Sequence, residues 1–302
     1  MAQEGIHSFS LSSEPNVLIC ATLNYVEHFI TPFLKVIKDN EVAKTVNFEC
    51  HFASLSHAFC DSVDDHIIGG LLANGRLIMF KLSSLLSNHP VPFFQDQHSP
   101  TTVMTMLTDS TLVTALSNII TIHSTPLSTM TLKRGTVHSI HPLSPFIPHL
   151  FATITVISSS CFTCTIIDAV RLKRLIELKL PSIPVCIAFC QVKPTVLAIS
   201  VSSKKVLLYS FRFSTKSPIL SLSSTTTVTS LCWDGVSLLY LGDGHGMLYC
   251  CSLLWDNLGK VEKTKIRLIG KSDYPVTGIS KVFDPPGLIV SSLFDVEFFS
   301  FE

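Results

Sequence analysis

The sequence predicts an all-β chain, a seven-bladed β-propeller, and two observations predict it. The first is the stretch Ile67–Leu82, IIGGLLANGRLIMFKL, in which two apolar runs flank Asn74-Gly75. Asn-Gly favours a tight hairpin because both residues tolerate positive φ, so the stretch reads as two strands and a turn. The second is recurrence. Six other segments align on this hairpin, and the seven units each have a bulky or apolar residue near the end of the second strand: Phe29, Phe80, His123, Ile167, Tyr209, Cys251 and Phe299, at spacings of 51, 43, 44, 42, 42 and 48 residues. A repeat of that size, with four strands per unit, is the signature of a propeller blade. Val196–Phe211, Leu238–Leu253 and Leu288–Phe301 are the clearest further copies. A β-sandwich with evenly spaced hairpins is the competing architecture. The whole length, residues 1–302, is then a single domain.

Taken in order, the first unit has strands at Ile6–Leu11, Asn16–Leu23 and Val26–Thr31, with an outer strand and a longer loop in Phe33–Phe48. The second runs from His51 through the hairpin above. Ser83–Pro100 contains Pro90, Pro92 and Pro100, so it is an edge strand plus loop. The third has Thr102–Leu107, Thr111–Leu116 and Ile119–Ser124, turning at Ser117-Asn118. The fourth has Val137–Pro142, Leu150–Val156 and Phe162–Asp168. The fifth has Pro184–Cys190, Val196–Val201 and Val206–Phe211. The sixth has Val228–Trp233, Ser237–Leu241 and Met247–Leu253, with an outer strand at Lys265–Ile269. The seventh has Val276–Phe283, Leu288–Leu293 and Val296–Phe301. Either the seventh blade has three strands, or Ile6–Leu11 closes it.

Composition narrows the function. Hydrophobic residues are 47% of the chain and charged residues 15%, against about 25% in an average domain. Acids and bases balance at 22 each. Binding through phosphates needs concentrated Lys and Arg, and Arg171–Arg174 is a short cluster that reads as a solvated loop, so no direct nucleic-acid binding is expected. Leu150–Ile167 is nearly free of charge but alternates with Thr, Ser and Cys and is broken at Ser158-Ser159-Ser160. It reads as two strands and a turn rather than the ~20 apolar residues of a membrane helix. The start MAQEGIHSF has neither the basic nor the apolar region of a signal peptide, so the ten cysteines are expected to be intracellular, reduced thiols. Cys161 and Cys164 point to opposite faces of a strand and cannot easily share a metal. Cys186 and Cys190 share a face and read as small buried hydrophobes.

No catalytic, cofactor or metal site is expected. Gly242–Gly246 sits between strands, not before a helix, so it is a turn and not a phosphate loop. Gly-x-Ser-x-Gly and His-Glu-x-x-His are lacking, and the twelve histidines are scattered.

Trp233-Asp234 and Trp255-Asp256 are similar to the Trp-Asp of WD40 repeats, and only the second falls near the end of a third strand, four residues late for the repeat. The chain thus resembles a divergent WD40 propeller. Glu4–Phe9 with Val17–Phe29, Ala58–Leu82 and Tyr274–Phe294 resemble the first, second and last blades of the spindle-checkpoint propeller family, the kinetochore partner of checkpoint kinases, and of its mRNA-export sister family. The resemblance covers roughly half the chain. It implies a non-enzymatic scaffold of nucleus, kinetochore and cytoplasm. Such a scaffold docks a GLEBS-type peptide of a kinase or kinetochore protein, without membrane insertion, as a monomer within a larger complex. The alternatives are a WD40-like subunit of another assembly (mRNA export, ribosome biogenesis or membrane traffic) and, remotely, an enzyme on a propeller scaffold. Docking is expected at the loops joining second to third and outer to next inner strands. There the candidates are Asn74, Arg76, Lys204, Lys205, Asp243, His245, Lys271 and Tyr274, basic groups for the ends of an acidic, apolar peptide and an aromatic for its middle.

Overall fold

Every strand pairs with its neighbour in sequence, so the chain runs as antiparallel meanders. The computed structural model describes residues 3–11, 17–26, 29–38, 41–60, 64–87, 89–99, 102–107, 111–123, 127–144, 147–193, 195–211, 217–257, 260–283, 286–292 and 296–300. The first sheet comprises β1 (Gln3–Leu11), β2 (Val17–Val26), β3 (Phe29–Lys38) and β4 (Glu41–Asn47). The second comprises β5 (Phe52–Cys60), β6 (Asp65–Leu72), β7 (Arg76–Lys81) and β8 (Phe94–Gln97), with a one-turn helix, α1 (Leu82–Leu85), before β8. The third holds β9 (Val103–Met106), β10 (Leu112–Leu116), β11 (Ile119–His123) and β12 (Ser128–Thr131). The fourth holds β13 (Thr136–Ser144), β14 (Ile147–Ser158), β15 (Cys161–Asp168) and β16 (Lys173–Leu180). The fifth is β17 (Pro184–Phe189), β18 (Val196–Val201), β19 (Lys205–Ser210) and β20 (Leu220–Ser223). The sixth is β21 (Val228–Asp234), β22 (Leu238–Asp243), β23 (Met247–Trp255) and β24 (Val261–Lys271). The last is β25 (Val276–Phe283), β26 (Pro286–Ser292) and β27 (Val296–Ser300).

The fold is all-β, of the propeller type, with six four-stranded blades where seven blades were expected; the last sheet has three strands among the described residues. The strand left open by the sequence belongs to the first sheet, because β1 pairs with β2 along its whole length. Leu150–Ile167 is two strands turning at Ser159-Ser160, as expected, and no helix among the described residues is long and apolar enough to cross a membrane.

Several boundaries differ from the sequence reading: the sixth unit's outer strand, expected at Lys265–Ile269, runs over Val261–Lys271, and two other differences fall at landmark residues. Phe29 opens β3 instead of ending a third strand, since Val26 pairs with Phe29 and the hairpin arms are ten residues long. Pro32 concealed this. It lies outside the reach of β4, which pairs with Phe33–Lys38, so its missing N–H breaks no bond on that side. Ile37, near the true end of β3, lies 43 residues before Phe80, so the long loop inferred after the first unit is strand instead. Similarly, β23 continues to Trp255, so the second Trp-Asp closes a strand; the Trp255 indole N–H donates to the Val236 carbonyl at 2.7 Å.

The chain divides into two compact units: residues 1–142, 148–155 and 167–173 form one, and 143–147, 156–166 and 174–302 the other. Within the first, the opening hairpin shows how blades stack. Ile68, Leu72, Ile78 and Phe80 pack with Leu34, Val36 and Phe52 on one face. Ile67, Leu71, Leu77 and Met79 pack with Met104, Met106 and Leu112 on the other. Alternate side chains of one continuous apolar run thus enter two different cores. The paired glycines fit this arrangement: a Cβ at Gly69 would meet Met106 Sδ at 3.0 Å, and one at Gly70 would meet the Phe52 ring at 2.3 Å. In the second unit, Val196, Ala198, Val206 and Leu208 pack against Trp233, Leu239 and Leu241. Tyr240, Leu248 and Cys250 pack against Val276, Leu288 and Val290. Middle strands such as β18 are therefore buried along their length, while outer strands such as β16 and β12 alternate buried or half-buried with exposed positions.

The hairpin turns share one geometry. Gly75, Lys204 and Gly246 each occupy the third place of a three-residue turn with φ of 86, 59 and 80°, and their N–H groups bond the carbonyls of Leu72, Val201 and Asp243 at 2.9, 3.1 and 3.1 Å. Asn74 does not adopt positive φ: the turn is a tight turn followed by one left-handed residue, not the two-residue turn that Asn-Gly suggested. Lys204 bears the left-handed strain that glycine avoids, roughly 1–2 kcal/mol. Gly246 has no such latitude, since a Cβ there would lie 2.2 Å from the Ser272 carbonyl oxygen. We expect Lys204→Gly to raise stability by about 0.5–1 kcal/mol and Gly246→Ala to lower it by about 2–3 kcal/mol, measured by urea denaturation. Equal effects of the two changes would refute the assignment.

Candidate interaction surface

The turns are tied down at both sides by main-chain bonds. After the second strand, the N–H groups of Ala73, Ser202 and Gly244 donate to the carbonyls of His51, Ile183 and Thr227, in the loops that enter the same blades, at 2.8, 2.7 and 3.2 Å. The carbonyls of Gly75, Lys204 and Gly246 then accept from His98, Ser224 and Ser272, just past the outer strands, at 2.8, 2.9 and 2.8 Å. The two kinds of loop expected to gather at one edge of each blade are thus bonded to each other.

In the first unit this edge carries Asn74 and Arg76. The Arg76 guanidinium donates to Glu49 Oε1 at 3.0 Å and to Gln95 Oε1 at 2.5 Å, and Asn74 Nδ2 donates to Glu49 at 3.1 Å. These bonds, Arg76 first and Asn74 second, hold the exposed Glu49 carboxyl below its ordinary range. Arg76 therefore presents a charge already shared with a carboxylate. Beside it lies a groove of about 260 Å³ whose floor includes Phe48, Ile78 and Phe80 and whose wall includes Pro90 and Pro92. The Phe48 and Phe52 rings meet edge to face at 4.8 Å. Sequence reasoning missed Glu49, Phe48 and the two prolines as parts of this edge; the prolines were read only as loop markers.

In the second unit, Lys204, Lys205, His245, Lys271 and Tyr274 are exposed. The loop between β20 and β21 joins their turns, since Ser224 bonds the Lys204 carbonyl and Gly244 bonds that of Thr227. Asp243 is different. It is fully buried, and its carboxylate accepts the N–H groups of His245 and Met247, both at 2.9 Å, and the Thr226 hydroxyl. It supports the turn that presents His245 and is not itself available to a partner.

The inner strands β5, β9 and β13 line a cleft of about 570 Å³ that the sequence did not indicate, with Ser56, Thr102, Thr105, His138, Ser139 and His141 as its polar groups. Burial, then repulsion from His138, pushes the His141 imidazole down to about 4. The His141 Nε2 atom lies 2.9 Å from Ser139 Oγ. At neutral pH the lining offers hydroxyls and the neutral His141 imidazole as hydrogen-bonding groups.

Cysteines 50, 161, 164, 186, 190, 232, 250 and 251 carry free thiols. Cys190 is in a buried core with Cys186 packed on it, as their shared face predicted. Burial pushes the thiols of Cys164 and Cys186 up to about 12. Among the described residues no group of three or more His, Cys, Asp or Glu is placed to hold a metal. No family model and no curated protein matches this chain.

Two outcomes follow. Asp243→Ala strips three donors of their buried acceptor and should cost about 2–4 kcal/mol, whereas His245→Ala, at an exposed site, should shift the thermal midpoint little. His141 binds a proton near 6.5 when unfolded and near 4 when folded. Its contribution is therefore present above 6.5 and lost as the pH falls toward 4, because the unfolded state then binds the extra proton. A pH series of urea melts should show this loss in the native sequence and less of it in His141→Gln; identical slopes would exclude His141 as the cause.

Proposed function

We propose that this chain is a non-enzymatic protein-interaction scaffold, a WD40-like propeller whose three-stranded last sheet is its seventh blade. One observation carries the reading: in a chain with only 15% charged residues, exposed Lys204, Lys205, His245, Lys271 and Tyr274 sit on hydrogen-bonded turns and loops, or on the strand ends next to them, in the second unit. Turns held at both sides have little main-chain mobility left to lose on binding. A short peptide with acidic ends and an apolar middle suits cations with a nearby aromatic, and opposite charge would orient it and speed its arrival.

The resemblance of Glu4–Phe9, Ala58–Leu82 and Tyr274–Phe294 to the spindle-checkpoint propeller family names the first partner to try, a GLEBS-type segment of a checkpoint kinase or kinetochore protein, in nucleus and cytoplasm. Affinity capture of the tagged chain from mitotic cells, read by mass spectrometry, tests this: checkpoint kinases support it, and mRNA-export, ribosome-assembly or membrane-traffic factors replace it. Once a partner peptide is in hand, Lys204→Glu with Lys205→Glu should weaken binding at least tenfold, about 1.4 kcal/mol, without lowering the thermal midpoint. Unchanged affinity would move the site away from this edge.

A further inference from the structure

The outer strands differ in length. β8, β12 and β20 have 4 residues each, whereas β24 has 11. β24 is last in its sheet, so its outer main-chain groups face no other strand of that sheet. Lys263, Lys265 and Arg267 alternate along it, all exposed, and none is in an ion pair among the described residues. Strand geometry spaces such alternate residues about 6.6–6.8 Å apart on one face. Between them, on the opposite face, Ile266 and Leu268 are 44% and 53% exposed. The outer edge thus offers a row of backbone donors and acceptors, a comb of three cations on one side and an apolar pair on the other.

We infer that β24 is a docking edge for an extended acidic peptide in which Asp or Glu alternates with apolar residues. Such a peptide adds as a fifth strand, its main chain completing the open ladder. Its carboxylates lie opposite Lys263, Lys265 and Arg267, and its apolar residues beside Ile266 and Leu268. A second copy of β24 is disfavoured there, because its own cations would meet these. A nucleic-acid strand would use the cations but neither the open ladder nor the apolar pair. The cations and apolar pair of this site, residues 263–268, lie along the strand before Lys271, where β24 reaches the turn edge; the site rests on the scaffold reading and deepens it by adding a second, strand-pairing partner surface.

The test uses the full chain and a fluorescein-labelled nonapeptide alternating Glu with Val and Thr, read by anisotropy. Three controls accompany it: a shuffled peptide of the same composition with its glutamates in one block, the alternating peptide N-methylated at every second residue, and a nine-nucleotide thymidine strand. The alternating peptide should bind at least tenfold more tightly than each control. Lys263→Gln with Lys265→Gln and Arg267→Gln, which removes charge without reversing it, should weaken it at least tenfold while the thermal midpoint is kept. Lys204→Glu with Lys205→Glu should leave it unchanged, separating this edge from the turns. Equal binding of the shuffled or N-methylated peptide overturns the strand-pairing inference. So does tighter binding of the oligonucleotide, or indifference to the loss of the three cations.

Discussion

The structure depends on middle strands being apolar on both faces. A strand sends alternate side chains to opposite sides, so a hairpin such as β6–β7 can fill two cores only if nearly every residue is apolar. Ile67 and Ile68, Leu71 and Leu72, and Met79 and Phe80 do this in adjacent pairs, each pair divided between two clusters. Each such side chain contributes on the order of 1.5–3 kcal/mol on burial. A partly exposed ion pair contributes about 0–1 kcal/mol, so Lys281–Asp234, between β25 and β21, is a minor clasp beside the cluster of Tyr240, Val276 and Leu288. The same demand explains the composition: a chain that hides both faces of its middle strands has few places for charge, and much of its apolar content lies in the cores of the blades.

Exposed charged groups are consequently found mainly at the strand ends and on the outer strands, and the main chain decides how firmly they are held. The turns at Gly75, Lys204 and Gly246 repeat the same three bonds in three blades, whatever side chains they carry. This repetition makes Gly246, pressed against the Ser272 carbonyl, a different kind of residue from Lys204, which accepts a left-handed backbone at an exposed place. It also separates supports from contacts. Asp243 holds its turn from within, and Glu49 holds Arg76 from outside. The outer strands have no such bracing on their free side, which leaves β24 as a long, charged and open edge.

From the sequence alone came the repeat, the class of fold, the strand pairs from the second unit onward and the role of Gly242–Gly246 as a turn, because these depend on local pattern: alternation, turn chemistry and period. The first blade was misplaced where local pattern was silent, since Pro32 sits inside a strand whose neighbour ends one residue away. The turn residues were located correctly, but their states were not legible. Whether an aspartate is buried against three donors, or an arginine is shared with a glutamate 27 residues earlier, depends on which loops meet. The cleft beside His141 and the groove floored by Phe48 and Phe80 likewise have linings drawn from separate blades. Sequence determined which residues can be strand and which can turn, because those are properties of neighbours along the chain. Tertiary structure alone decided which polar groups stay free and which are spent, because that depends on contacts between residues far apart in sequence.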